Sequence, residues 1–186
     1  MITYNRERVT LQAGSPSINT IGVSLGRIVR FCGHTQRYYT VLCHSLAVSD
    51  IMPSEIAIYG LMHDAQECLV SDVPTPFKTQ VARNREAVLL RNIYLANGLP
   101  WPIPDDIQEQ IDEADHKTLI AEAHILKHPG AETQWGDTYD EAAGVATRKY
   151  LKHAKGFLDP LKSGPYFERR FKKLVHASGL DIETWV

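Results

Sequence analysis

The sequence predicts an all-α fold, a compact bundle of helices, from three observations. Apolar residues recur at three- and four-residue steps along most of the chain, which is the spacing of an amphipathic helix. No segment sustains the alternation of apolar and polar residues that is typical of a half-buried strand. Prolines and glycines fall between the periodic segments, where they end helices.

Length and composition indicate one domain. The chain has 186 residues, of which 44% are hydrophobic, and a chain of this length can bury one sizeable core. We therefore predict a single domain over residues 1–186. It comprises an N-terminal arm or short hairpin at 1–17, the main bundle, and further helices within 128–186.

Charge and hydropathy disfavour two classes of partner. The net charge is −2, whereas nucleic-acid-binding domains are usually basic, so we expect no nucleic-acid partner. No apolar run reaches the roughly 20 residues that a membrane-spanning helix needs, and the N-terminus lacks the apolar stretch of a signal peptide. Three cysteines without a CxxC pair fit a reducing compartment. We expect a cytoplasmic protein with no membrane partner.

The first half of the chain predicts three helices. The first covers residues 18 to about 31, and Gly33 follows as a stop. The second covers 39–52 and ends at a proline, which cannot continue a helix. The sequence Pro-Ser-Glu then opens a third helix over 53 to about 68.

The second half predicts four more helices. Residues 71–76 form a rigid turn, because its two prolines donate no backbone hydrogen bond. Asp105 is the expected N-cap of a long helix that His128-Pro-Gly130 ends. The predicted helices cover about 78–96, 105–127, 139–157 and 165–177.

An adjacent histidine and aspartate, His63 and Asp64, close the apolar segment 56–62. An ionised carboxylate next to a core is costly unless it is paired or binds a metal. An imidazole nitrogen together with a carboxylate oxygen suits a divalent first-row ion. The pair is therefore a candidate metal site.

His44 and Asp115 offer further ligands from two other predicted helices. His44 has apolar neighbours at helical spacing, and Asp115 lies four residues from both Ile111 and Leu119, so both face inward. Helical bundles build metal sites from such inward side chains. The alternative is a satisfied core histidine and an aspartate paired with an arginine, and spacing alone leaves the two interpretations about even.

Charged residues on both sides extend the candidate site. Glu67 shares the face of the His63–Asp64 pair if the helix is continuous, Asp72 lies on the adjoining turn, and Lys78 opens the next helix. One carboxylate there can move a proton while the cation holds a phosphate oxygen. Solvated side chains at these three positions are the alternative.

A basic, glycine-broken stretch precedes His44. Its Arg30 and His34 could clamp an anion, and the arginine fork matches two phosphate oxygens. Other charged groups are interpreted as ordinary surface because they lack a third ligand or a nearby partner: Arg27, Arg37, the pair His124 and His128, and the pair Asp112 and His116.

Three strings together resemble the HD-domain metal-dependent phosphohydrolases. Residues 63–78, HDAQECLVSDVPTPFK, resemble the HDAxE…GD(V/L/I)PTPxK segment of the YfbR-like 5′-nucleotidase branch. Residues 30–35 and 39–45, RFCGHT and YTVLCHS, resemble a phage and bacterial branch that includes the DatZ-type dATP triphosphohydrolases. Residues 114–122, ADHKTLIAE, resemble the third motif of that branch. The departures from these patterns, at Cys32, Cys43 and Ser71, remove no candidate ligand.

The resemblance implies an HD-domain helical bundle with one divalent ion (Co²⁺, Mn²⁺, Zn²⁺ or Mg²⁺). It implies that the ion is held by His44, His63, Asp64 and Asp115. It also implies roles around the ion: Glu67 orients or deprotonates the attacking water, Asp72 contacts the sugar 3′-hydroxyl, Arg30 and Lys78 hold phosphate, and His34 assists near the leaving group. Phe31 is a candidate wall of the base pocket, together with Ile18 and Pro76.

The favoured function is a triphosphohydrolase of deoxynucleoside triphosphates, with dATP preferred, that releases deoxynucleoside and triphosphate. The alternative is a 5′-nucleotidase that hydrolyses deoxynucleoside monophosphates. A nucleotide sensor without turnover is disfavoured because Glu67 and Asp72 are intact. Relatives in this family form dimers or hexamers, so we expect a homo-oligomer, in the host cytoplasm if a phage encodes it.

Overall fold

The computed structural model describes residues 1–127 and 138–182, and within them the chain is all-α, which confirms the predicted fold class. The helices are α1 (Ile18–Leu25), α2 (Val41–Ile51), α3 (Ala57–Met62), α4 (Glu67–Val70), α5 (Gln80–Ala96), α6 (Asp105–Leu126), α7 (Glu141–Leu151) and α8 (Pro160–Ser178). Short 3₁₀ turns occupy 30–33, 75–77 and 156–158. In the arm at 1–17, an isolated antiparallel bridge joins Ile2 to Arg8.

Helix α1 is shorter than the sequence predicts. It begins after Ser17, whose hydroxyl accepts from the Thr20 amide, and it ends at Gly26 rather than near residue 31. The backbone beyond Gly26 cannot continue the helix, because the Arg30 amide donates to the Tyr39 carbonyl in an extended antiparallel bridge. This pairing places the 30–33 turn beside the start of α2.

The predicted third helix is broken in two. Residues 63–66 between α3 and α4 form turns, with amide-to-carbonyl bonds from Ala65 to Met62 and from Glu67 to Asp64. These three-residue steps are tighter than those of an α-helix. The prediction of a continuous helix over 53–68 is therefore wrong.

Four other helix ends differ from the predictions. Asp105 is the first residue of α6 rather than its cap, since the preceding Pro104 holds the cap position. Lys78 lies before α5, whose cap is Thr79. Helix α8 begins at Pro160, earlier than predicted, and α7 ends at Leu151, although both lie in the predicted C-terminal region. The predicted stop at 128–130 lies outside the described residues.

That residues 1–186 form a single domain stays a prediction.

Helix α2 runs through the core of the bundle. All of residues 41–49 are buried, and α2 packs against α3, α6 and α7. At its end, Asp50 accepts from Arg170 of α8 at 2.6 Å and from the Tyr150 hydroxyl of α7 at 2.8 Å. A polar side chain on α2, such as His44, therefore has no access to water and needs partners from neighbouring helices.

Helices α1 and α8 approach closely where both carry small residues. A Cβ on Gly22 of α1 would overlap Phe167 and lie 3.0 Å from the Ser163 carbonyl oxygen of α8. Likewise, a Cβ on Gly164 would lie 2.9 Å from a methyl group of Val23.

Among the described residues, no helix combines the length and apolar character needed to cross a bilayer.

We expect Gly22→Ala to lower the free energy of unfolding by about 1–3 kcal/mol, because overpacking shifts α1 away from α8. The matched control is Gly156→Ala, since a Cβ on Gly156 meets no heavy atom within 4 Å. Its expected change is below about 0.5 kcal/mol. Urea unfolding of both variants measures the difference, and equal midpoints would contradict the close packing of α1 on α8.

Candidate metal centre

The four predicted ligands lie together. They come from α2 (His44), from the end of α3 (His63), from the following turn (Asp64) and from the middle of α6 (Asp115). The Nε2 atom of His44 lies 2.9 Å from Asp115 Oδ1 and 3.7 Å from Asp64 Oδ2. The Nε2 atom of His63 lies 3.2 Å from Asp64 Oδ2 and 4.0 Å from Asp115 Oδ1. One ligand atom from each of His44, His63 and Asp115 falls within 4.8 Å of the others, so this cluster could hold a metal ion.

The histidine hydrogen bonds fit a metal at this position. The Nδ1 atom of His63 lies 2.8 Å from the Gly60 carbonyl oxygen, and that of His44 lies 2.8 Å from Glu122 Oε1. A carbonyl oxygen only accepts, so Nδ1 of His63 donates and its Nε2 carries the lone pair when the ring is neutral. Both Nε2 atoms are buried without an aligned hydrogen-bond partner. A bound cation would satisfy both nitrogens, in the arrangement typical of metal-binding histidines.

The charges around the cluster favour a cation. Burial and Arg30 lower the pKa of His44, but Glu122 and Asp115 outweigh them and raise it to about 10. The pKa of His63 is also raised, since Asp64 outweighs burial. Burial raises the pKa of Asp115, yet the His44 contact lowers it to about 2. The carboxylates thus hold protons on the imidazoles, and a divalent ion would replace those protons.

A cavity of 460 Å³ adjoins the cluster. Within the described chain, it is lined by every predicted catalytic and substrate-binding residue and by two of the candidate ligands: Arg30, Phe31, His34, Asp64, Glu67, Asp72, Lys78 and Asp115. Its volume is in the range of small-molecule sites. Pro76 also lines the cavity, whereas Ile18 is buried in the hydrophobic core, so the expectation that Ile18 borders the pocket is wrong.

Glu67 reaches the cavity from the start of α4, although the helix that was expected to carry it is broken. Its side chain is 3% exposed, and its Oε2 atom is buried without a hydrogen-bond partner. Burial, followed by the charges of Asp64 and Asp72, raises the pKa of Glu67 to about 9. The nearest cation is Lys78, whose Nζ lies 4.0 Å from Glu67 Oε1 and 3.1 Å from Oε2 of Glu86. The raised pKa favours the protonated form of the Glu67 carboxyl group near neutral pH.

Arg30 faces the cavity from the 30–33 turn. Its Nη1 lies 3.7 Å from Asp72 Oδ2, and its Nε and Nη2 donate to Glu122 Oε2 at 3.2 and 3.1 Å. The ring of Phe31 lies beneath two cations, at 5.4 Å from the Arg30 guanidinium and 4.7 Å from Lys127 Nζ. A cationic and aromatic surface of this kind suits a phosphate joined to a nucleoside.

Sequence reasoning assigned no role to Glu122, although the residue lies in a motif string. It is fully buried and contacts both Arg30 and His44. Burial raises its pKa, but His44 and Arg30 outweigh that and keep it lowered. The spacing of residues along α6 could have indicated that Glu122 lies near the site. Asp115, Leu119 and Glu122 follow one another at four- and three-residue steps, so Glu122 shares the face of α6 that carries the candidate ligand Asp115.

The rival pairs do not form a cluster with a third ligand among the described residues. Asp112 accepts from Gln108, and His116 is exposed. Nδ1 of His124 lies 2.9 Å from the Ile120 carbonyl, while His128 lies outside the described residues. Arg27 is exposed and donates to the Leu158 carbonyl, and Arg37 is exposed.

Two bacterial proteins are similar to parts of the chain. An uncharacterized protein, YfdR, from Escherichia coli (strain K12) is 46% identical over 61 residues, covering 33% of this chain and 34% of YfdR. A 5′-deoxynucleotidase from Cronobacter sakazakii is 30% identical over 101 residues, covering 46% of this chain and 51% of that protein. The chain thus spans about half or less of the relatives it matches. No family model matches the chain. The second similarity supports the HD-domain phosphohydrolases at the level of the superfamily and does not select a branch.

We expect metal-free protein to bind one equivalent of Mn²⁺ in titration calorimetry, because ligand atoms of His44, His63 and Asp115 lie within 4.8 Å of one another and Asp64 lies beside them. At 100 times its dissociation constant, the ion should raise the free energy of unfolding by about 2.7 kcal/mol. His63→Ala should lose this binding, since it removes an unsatisfied Nε2. The control His124→Ala replaces a histidine outside the cluster and should bind like the wild type. Equal binding by His63→Ala and the wild type would contradict the site.

Proposed function

We propose that the chain is a divalent-metal-dependent hydrolase that cleaves the phosphate ester of 2′-deoxynucleotides. The observation that carries the proposal is the His44, His63, Asp64 and Asp115 cluster beside a cavity that also contains Arg30, Lys78 and Glu67. Metal ligands, phosphate-binding cations and a carboxyl group with a raised pKa are what phosphate-ester hydrolysis needs in one place. The similarity to a 5′-deoxynucleotidase supports the same class of reaction.

The ion would be held by two imidazole nitrogens and two carboxylate oxygens. This donor set suits Mn²⁺, Co²⁺ or Zn²⁺ better than Mg²⁺, which prefers oxygen ligands alone. Such an ion lowers the pKa of water and neutralises charge on a phosphoryl oxygen. We propose that these four residues are its ligands.

The remaining residues act on the substrate and on protons. Arg30 Nη1 and Lys78 Nζ bind and orient the phosphate, because both face the cavity as donors. Glu67 orients the water and takes its proton, since an ion close by would oppose the carboxylates that raise its pKa. Asp72 accepts from the sugar 3′-hydroxyl, Phe31 packs on the nucleoside, and the exposed His34 lies near the leaving group.

The charge of the cavity favours monophosphates over triphosphates as substrates. Among the described lining residues, Arg30, Lys78 and Lys127 face four carboxylates, and both Arg30 and Lys78 already contact a glutamate outside the cavity. A phosphate monoester carries about −1.5 to −2 at neutral pH, and a triphosphate carries more. The 5′-deoxynucleotidase similarity points the same way.

The triphosphohydrolase, which the sequence alone favours, becomes the second candidate. The RFCGHT and YTVLCHS strings favour it, and Lys127 and His34 are further positive or polar groups at the same cavity. A preference for dATP rests on this resemblance. Assembly into a dimer or hexamer and a cytoplasmic location likewise remain proposals from the resemblance.

Incubation of Mn²⁺-loaded protein with dAMP and dATP in separate reactions tests the proposal. We expect orthophosphate and deoxyadenosine from dAMP, and faster hydrolysis of dAMP than of AMP in line with the similarity to a 5′-deoxynucleotidase. Triphosphate release from dATP with dAMP intact would instead establish the second candidate. Hydrolysis of none of the eight common deoxynucleoside mono- and triphosphates would overturn both.

Glu67→Gln should lower kcat by about 10²–10⁴-fold, because the amide cannot take a proton. Mn²⁺ affinity should stay unchanged, since Glu67 is not among the proposed ligands. The control Glu113→Gln replaces an exposed glutamate on α6 that pairs with Lys117. It should have wild-type kcat, and steady-state kinetics compares the two. Unchanged turnover in Glu67→Gln would exclude the proposed role.

A further inference from the structure

We propose that Glu122 is a positioning residue that joins the metal centre to the phosphate-binding arginine through a single buried carboxylate. The inference rests on the proposed function and assigns a role to a residue outside the ligand and substrate-binding sets. Glu122 is fully buried on α6, and its two oxygens serve two different partners. Oε1 lies 2.8 Å from His44 Nδ1, whereas Oε2 accepts from Nε and Nη2 of Arg30 at 3.2 and 3.1 Å.

The contact of Oε1 fixes the tautomer of His44. A carboxylate next to a guanidinium only accepts hydrogen bonds, so Nδ1 of His44 donates to it. The neutral ring then has its lone pair on Nε2, which faces Asp64 and Asp115 at 3.7 and 2.9 Å. This is the tautomer that a metal requires.

The contact of Oε2 fixes the rotation of the Arg30 guanidinium. Two of its three nitrogens are held by one oxygen, so the third, Nη1, is directed toward Asp72, which lines the cavity. Glu122 and Asp115 belong to the same helix. The ligand His44, the ligand Asp115 and the phosphate-binding Arg30 are therefore held in one rigid frame.

Glu122→Gln separates the two contacts because an amide has one accepting oxygen and one donating nitrogen. If the oxygen faces Arg30, the nitrogen faces His44 and moves the ring proton to Nε2, where it blocks the metal. If the oxygen faces His44, the nitrogen faces the donors of Arg30 and releases the guanidinium. The first arrangement weakens Mn²⁺ binding, and the second raises KM.

In the second arrangement the amide N–H groups face the N–H groups of Arg30, and neither can accept, whereas in the first arrangement His44 can change its tautomer. The first arrangement should therefore dominate. We expect a loss of about 10–100-fold in Mn²⁺ affinity, the usual effect of removing a group that orients a metal-binding histidine.

The experiment measures Mn²⁺ affinity by calorimetry, kcat and KM with the nucleotide that the product assay identifies, and stability by urea unfolding. The matched control is Asp50→Asn, since Asp50 is a largely buried carboxylate that also accepts from an arginine, Arg170, but does not line the cavity. It should lose stability while keeping Mn²⁺ affinity and KM. Unchanged Mn²⁺ affinity and KM in folded Glu122→Gln would overturn the inference.

A second measurement does not depend on the variant folding. In wild-type protein saturated with Zn²⁺, the nitrogen NMR shifts of His44 should show a proton on Nδ1, and a proton on Nε2 would overturn the inference. The Mn²⁺ titration also separates this inference from the proposed function. If no nucleotide is hydrolysed but Glu122→Gln weakens Mn²⁺ binding, the positioning role holds and the proposed function fails.

Discussion

The cost of burying an imidazole in the middle of a helical bundle determines much of this structure. His44 lies on α2, which is buried over residues 41–49, so its two nitrogens can be satisfied only by neighbouring elements. Helix α6 supplies Glu122 to one nitrogen and Asp115 near the other, and the turn after α3 supplies Asp64. The packing of α6 on α2 and the end of α3 at Met62 are thus the two features that make the cluster possible.

The same arrangement concentrates negative charge. Among the described residues, six carboxyl groups contact the two imidazoles, Arg30 or Lys78: Asp64, Glu67, Asp72, Glu86, Asp115 and Glu122. Contacts with an imidazole or with Arg30 outweigh burial and lower the pKa values of Asp64, Asp115 and Glu122. Burial and the neighbouring carboxylates raise the pKa of Asp72, despite its contact with Arg30, and raise that of Glu67 to about 9. A site of this charge is more stable with an additional cation than without one. The candidate metal cluster and the raised pKa of Glu67 therefore share one cause, the concentration of carboxyl groups.

The helices could be predicted where nearby residues determine the helix and its ends. The breaks between helices could not, because they depend on contacts that the sequence pattern does not show. The spacing of apolar residues and the residues that end helices predicted α2, α5 and α6 to within a few residues of their observed bounds. The end of α1 depends on pairing of Arg30 with Tyr39, and the break after Met62 depends on tight turns that carry no proline or glycine. Glu122 could not be assigned a role because its partners are 78 and 92 residues away in the chain. The candidate ligands could be proposed from residue type, spacing and the resemblance, whereas the orientation of their side chains required tertiary contacts.

The candidate ligands and the other residues that line the cavity lie in different parts of the fold. His44, Asp115 and Glu122 lie on long helices whose positions are set by core packing, so small changes there disturb the whole bundle. Phe31, His34 and Asp72 instead lie on the surface segments that follow α1 and α4. Substitutions in these segments change the cavity wall without moving a candidate ligand. Residues that line the cavity from these turns can therefore vary while the candidate ligands keep their places in the core.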